Sequence, residues 1–174
     1  MNEKISRIKL LLLDVDGVLT DGRIYVDNNG VESKAFDVKD GHGLKLLQRA
    51  GIRIGLITGR QSKVVNYRAQ ELGIDLVFQG VKNKLDVYAG ILAELKLRDE
   101  EVAYMGDDLV DLPVLCRVGF SAAVQDGCEE IKPFVHYISR LKGGRGAVRE
   151  LCDHILKEGG HWDAVTARYR PEKP

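Results

Sequence analysis

At 174 residues the chain is sized for one domain, whose core needs no disulfide or metal staple. Its 26 basic and 26 acidic side chains cancel, which removes any net-charge case for nucleic acid or an anionic membrane surface. Three scattered cysteines, Cys116, Cys128 and Cys152, form no CxxC pair or zinc spacing, and no apolar run nears the roughly 20 residues of a membrane span.

The first residues, Met1-Asn2-Glu3-Lys4, carry no leader pattern and run straight toward the first strand, so a cytoplasmic protein is expected. That strand is Leu10-Leu11-Leu12-Leu13, an unbroken apolar run of the kind buried on both faces of a parallel sheet. It ends in Asp14-Val15-Asp16-Gly17. Carboxylates at i and i+2 project to the same side, at the strand end where open α/β sheets bind ligands. Next, Arg23–Val26 and Val31–Phe36 flank the turn Asp27-Asn28-Asn29-Gly30, which predicts a hairpin over 22–37. Its apolar residues Ile24, Tyr25, Val26 and Phe36 need cover. Asp37 to Gly41 reads as a return toward the first strand's end. A helix is predicted from Gly43, with Leu44, Leu47 and Ala50 inward and Gly51 as its stop.

Strand Arg53–Ile57 then ends in Thr58-Gly59-Arg60, with a helix following directly and running to Gly73. Asp75–Phe78 reads as a third strand. Lys82-Asn83-Lys84 opens a helix that turns Leu85, Tyr88, Leu92 and Leu95 inward. Val102–Met105 is a fourth strand, ending in Gly106-Asp107-Asp108 with Asp111 one turn on. Val118–Ala122 and Val135–Ile138 are further strands, and Gly143-Gly144-Arg145-Gly146 precedes a helix over 147–157. Gly159-Gly160 opens a tail with Trp162, Arg168, Tyr169 and Arg170, and residues 161–174 read as a mobile arm. The βαβ rhythm predicts a single α/β domain over 1–174. It is a doubly wound, Rossmann-like parallel sheet with a hairpin insert after the first strand, a C-terminal tail over 159–174 and no separate cap domain.

In such a sheet the polar strand ends share one edge, so Asp14, Asp16, Thr58, Lys84 and Asp107 converge. Each type has a task in phosphoryl transfer, where positioning and charge stabilisation dominate. Asp14 is placed as the nucleophile, and Asp16 as the acid that protonates the leaving alkoxide and later activates water. Asp14 and Asp107, with a backbone carbonyl near Asp16, would hold Mg²⁺. Thr58 and the Gly59 N–H would bind phosphate oxygens at a helix start, and Lys84 would neutralise the remaining charge. Arg60 and Arg68 suit a carboxylate on the substrate.

The ordered series Asp-x-Asp-Gly-Val, Thr-Gly-Arg, Lys and Gly-Asp-Asp-x-x-Asp resembles the haloacid dehalogenase superfamily of phosphatases. Asp14 to Gly22, Phe36 to Gly41, Gly106 to Pro113 and Gly143 to Glu150 narrow the resemblance. They resemble those members that dephosphorylate an eight-carbon 3-deoxy keto-acid 8-phosphate for lipopolysaccharide precursors. That resemblance implies a homotetramer in which hairpins form a central barrel and one subunit caps the next. It also implies a substrate pocket lined by Asp37, Val38, Lys39, Asp40, Gly41, Arg60, Arg68 and Lys84. A nine-carbon keto-acid 9-phosphate and a catalytically silent tetramerisation module are the alternatives. A phospho-receiver domain would need an acceptor aspartate on the third strand, where Phe78-Gln79 stands. A small sugar phosphate is the expected partner, with no nucleic acid or membrane.

Overall fold

The protein is represented by a computed structural model that describes residues 2–170. Its first elements are α1 (Asn2–Ile5), β1 (Leu10–Leu13), β2 (Tyr25–Val26), β3 (Glu32–Ser33), α2 (Val38–Arg49), β4 (Arg53–Ile57), α3 (Lys63–Leu72) and β5 (Leu76–Phe78). They are followed by α4 (Lys84–Leu95), β6 (Val102–Gly106), α5 (Leu112–Leu115), β7 (Phe120–Ala123), β8 (Tyr137–Ile138), α6 (Ala147–Glu158) and α7 (Trp162–Thr166). Six strands form one parallel sheet in the order β5-β4-β1-β6-β7-β8, so β1 lies between β4 and β6.

The four leucines of β1 are all buried because the sheet is covered on both sides. Alternation sends Leu11 and Leu13 into one core with Leu44, Leu47, Leu151 and Ile155 of α2 and α6. Leu10 and Leu12 join the other, with Tyr88, Ile91 and Val114 of α4 and α5. Each buried leucine contributes roughly 1.5–3 kcal/mol. Helices α2 and α6 cross closely at Gly43, where a Cβ would lie 3.1 Å from the Cys152 Cβ.

Several boundaries differ from the sequence reading. A short helix, α1, precedes β1 and buries Ile5. Helix α2 begins at Val38, because Asp37 caps it by accepting from the N–H groups of Lys39 (2.6 Å) and Asp40 (3.3 Å). In α4, Ile91 is fully buried, while Leu85, Leu92 and Leu95 are only half-buried. The hairpin forms with Tyr25 opposite Ser33 and Val26 opposite Glu32. Phe36 needs no outside cover, since it packs on the core with the Arg68 guanidinium 5.7 Å above its ring.

The tail is not a free arm as far as Arg170. Val165 is buried, Trp162 packs on the α2–α6 core, and the Tyr169 hydroxyl bonds Arg49 and lies 3.3 Å from His42. The last four positions of the expected arm lie outside the described residues. Among the described residues no helix is long and apolar enough to cross a membrane.

Candidate active site

Strand order runs from β1 outward through β4 and β5 on one side and through β6, β7 and β8 on the other. This switch opens a crevice beyond the carboxyl ends of β1, β4 and β6. A cavity of about 330 Å³ lies there, lined by Asp14, Asp16, Thr58, Gly59, Arg60, Lys84 and Asp107. The structure therefore brings together the strand-end groups expected from the sequence.

Asp14 continues the ladder, donating its N–H to the Met105 carbonyl at 3.0 Å. Its buried Oδ1 accepts from the Val15 N–H at 2.7 Å and lies 3.0 Å from Lys84 Nζ. Lys84 opens α4, whose N-cap Asn83 accepts from the Leu85 N–H. Lys84 Nζ also donates to Asp111 Oδ1 at 2.6 Å. Burial works against its charge, but Asp111 and Asp14 together outweigh that and hold the ammonium above the ordinary lysine value.

One oxygen from each of Asp14, Asp107 and Asp111 falls within 4.8 Å of the others. Asp111 is already committed. Its Oδ1 takes Lys84 and the Tyr104 hydroxyl (2.6 Å), and its Oδ2 takes the N–H groups of Asp107 (2.9 Å) and Asp108 (3.3 Å). By contrast, Asp107 Oδ1 is buried with no partner. Burial, then Asp14 and Asp111, push the Asp107 carboxyl up to about 8. Burial, then Asp111, push Asp14 up to about 6 against the pull of Lys84. Two crowded carboxylates and an orphaned acidic oxygen fit a hard divalent cation, with Asp14 and Asp107 as its side-chain ligands. Asp108 is occupied in capping its own turn through the Leu109 N–H.

Gly17 is required by two separate constraints. Its φ is +95°, and a Cβ there would lie 2.1 Å from Asp107 Oδ2. The turn it belongs to is covered by Gly143 and Gly144. A Cβ on Gly143 would lie 1.7 Å from the Gly17 carbonyl oxygen, and the Gly144 N–H donates to the Val18 carbonyl at 2.8 Å. In the sequence these glycines stand out only as a motif preceding a helix, with no sign of the turn they cover.

The Asp16 side chain faces Thr58, whose hydroxyl lies 3.4 Å from its Oδ2. Thr58 and Gly59 do not stand at a helix start. Gln61 and Ser62 intervene, and α3 begins only at Lys63, so helix-terminal N–H groups are not the phosphate cradle there. Arg60 reaches back to Glu32, with Nη2 to Oε1 at 3.0 Å. Two residues absent from the sequence reading of the site join it: Tyr104, on Asp111, and Lys34, paired with Asp16. The pattern that could have shown Lys34 is the alternation of the hairpin, where Glu32, Lys34 and Phe36 face inward.

The structure does not bring Asp37 to Gly41 or Arg68 into this cleft. Asp37 and Lys39 line a second cavity of about 550 Å³, with Arg140, Arg145, Arg149 and Lys157. Val38 points to solvent. Asp40 is buried and accepts from the N–H groups of Gly146 (3.3 Å) and Arg149 (2.7 Å), capping α6. Gly41 makes room for Arg68, which bonds the Asp37 carbonyl (3.3 Å) and Glu71 (2.8 Å).

Residues 38–119 match the model of the haloacid dehalogenase-like hydrolases. The 3-deoxy-D-manno-octulosonate 8-phosphate phosphatase of Yersinia pestis is 49% identical over 88% of this chain and 82% of its own length. The enzyme of that name from Escherichia coli K12 is 48% identical over 92% of this chain and 85% of its own. The crystal structure of the Moraxella catarrhalis phosphatase, in complex with magnesium, phosphate and the sugar acid, superposes with a TM-score of 0.95. It is 43% identical, with 97% of each chain covered.

Proposed function

The chain belongs to the 3-deoxy-D-manno-octulosonate 8-phosphate phosphatases of the haloacid dehalogenase-like hydrolase family, and on that premise we propose how its residues carry out the reaction. It hydrolyses the 8-phosphate to the free sugar acid and inorganic phosphate, with Mg²⁺ as cofactor. The observation that carries this reading is the strand-end cluster: Asp14 paired with Lys84 and crowded against Asp107, whose Oδ1 has no other partner.

In the first step a carboxylate oxygen of Asp14 forms a bond to phosphorus while the bond to the sugar oxygen breaks. Asp16 gives its proton to that leaving oxygen. In the second step Asp16 takes a proton from water, the water oxygen bonds to phosphorus, and the Asp14–phosphorus bond breaks. Thr58, the Gly59 N–H and Lys84 hold the phosphoryl oxygens throughout. Bound Mg²⁺, held by Asp14, Asp107 and the Asp16 carbonyl, supplies counter-charge to those oxygens. Arg60 takes the substrate carboxylate once Glu32 releases it. Asp37 to Gly41 and Arg68 lie outside the cleft, and Asp40 is committed to capping α6, so no step of this reading runs through them. The reading further treats 1–174 as one catalytic domain, working in the cytoplasm as a homotetramer.

The test is phosphate release from the 8-phosphate and a panel of other sugar phosphates, with Mg²⁺ and with EDTA. Release should be highest on the 8-phosphate and vanish with EDTA. Asp14→Asn should fold normally and lose at least about a thousandfold in kcat, because an amide does not attack phosphorus. Near-normal turnover by Asp14→Asn would sink the mechanism.

A further inference from the structure

Lys34 is an unusual residue for a hairpin strand. Its side chain is only 1% exposed. Burying an ammonium is costly, and the site offsets that cost with two carboxylates: Asp16, which it bonds directly, and Glu32 Oε1 at 3.3 Å. Glu32 in turn holds Arg60 at 3.0 Å. Charges therefore alternate along a line from the first strand's end, through the hairpin, to the Thr-Gly-Arg loop.

Asp16 sits on a loop past the end of β1, with a partly exposed side chain. It has two described side-chain anchors, the Thr58 hydroxyl at 3.4 Å and Lys34. The first is weak, and a phosphate bound to Thr58 competes for that hydroxyl. Lys34 is the anchor that remains when substrate is bound. A general acid works only within hydrogen-bond reach of the oxygen it protonates, so freedom to swing costs rate.

We propose that Lys34 is a positioning residue, which acts through Asp16 by holding its carboxylate toward the leaving oxygen. The inference rests on the reading of Asp16 as acid and base. It gives the hairpin a task inside its own subunit, separate from any contact with another.

The test compares two esters. The sugar 8-phosphate has an alkoxide leaving group that needs a proton. In 4-nitrophenyl phosphate the leaving phenolate needs none. The comparison uses kcat/KM, which ends at loss of the leaving group, so slow hydrolysis of phospho-Asp14 does not enter it. Lys34→Met should lower kcat/KM for the sugar phosphate by roughly 100-fold and for the aryl ester by less than about threefold. In an Asp16→Asn background, Lys34→Met should cost less than about twofold more on the sugar phosphate, since the group it acts through is gone. Equal losses on both esters, whether from misfolding or a general site defect, overturn the proposal, as does additivity with Asp16→Asn. If Asp16→Asn itself shows no difference between the esters, the acid–base reading of Asp16 has failed. If Asp16→Asn shows the difference and Lys34→Met does not, Lys34 alone has been misassigned.

Discussion

Asp107 and Asp111 lie four residues apart, in opposite conditions. Every lone pair of Asp111 that the geometry can use is taken, whereas Asp107 keeps a buried oxygen unpaired. The first braces the Lys84 ammonium, and the second is free for a cation. A third buried carboxylate, Asp40, serves the fold. Burial is the main cause that pushes it from 3.8 up to about 6 in the folded chain, so the folded state binds more protons than the unfolded between those values. The stability that neutral Asp40 contributes is therefore present below about pH 4 and lost as pH rises through about 6, by up to about 3 kcal/mol. Urea unfolding of the wild type and Asp40→Asn at pH 4.5 and 7 should show the wild type gaining roughly 2 kcal/mol over the variant at the lower pH. A difference that does not change with pH would mean that Asp40 ionises without penalty. Asp14, Asp16, Thr58 and Lys84 were legible in the sequence because each ends a strand or opens a helix, and a parallel sheet gathers those points. Asp40 was not, because its partners are backbone groups of a helix over a hundred residues away.

Among the elements, strand identities were readable from unbroken apolar runs, and the helices were harder to bound. Gly41 and Gly43 disguise the first turn of α2, although Asp37 followed three residues later by Asp40 is a capping signal. In the sequence the tail has the character of a mobile arm, because Gly159-Gly160 breaks the chain and a free terminus tends to be disordered. The structure instead seats α7 against α2 and α6 through Trp162 and Val165. Removing residues 161–174 should expose that apolar seat and cost about 3 kcal/mol, lowering Tm by roughly 10 °C. Hydrolysis of 4-nitrophenyl phosphate at 25 °C should stay within about twofold, since the described tail contacts lie away from the cleft. An unchanged Tm would show that the seat contributes little.

At the scale of the whole molecule, the hairpin carries apolar side chains that the described residues leave uncovered. Ile24, Tyr25, Val26 and Val31 are all exposed on a two-stranded ribbon, a structure that is marginal by itself. Closing such ribbons around a symmetry axis would cover them. Light scattering at micromolar concentration should give four times the 19.3 kDa chain mass, and a monomer would refute the assembly. The contact between Gly17 and Gly143 has a different consequence, in time. The turn that carries the acid pair is made early in synthesis, yet the glycines that cover it are added much later. At about 5–20 residues per second the lag is on the order of ten seconds. A nascent chain can thus hold its sheet centre and its crowded carboxylates while the turn above them is still unsupported. That turn gains its cover only once synthesis has passed Gly143 and Gly144 and the Gly144 N–H has met the Val18 carbonyl.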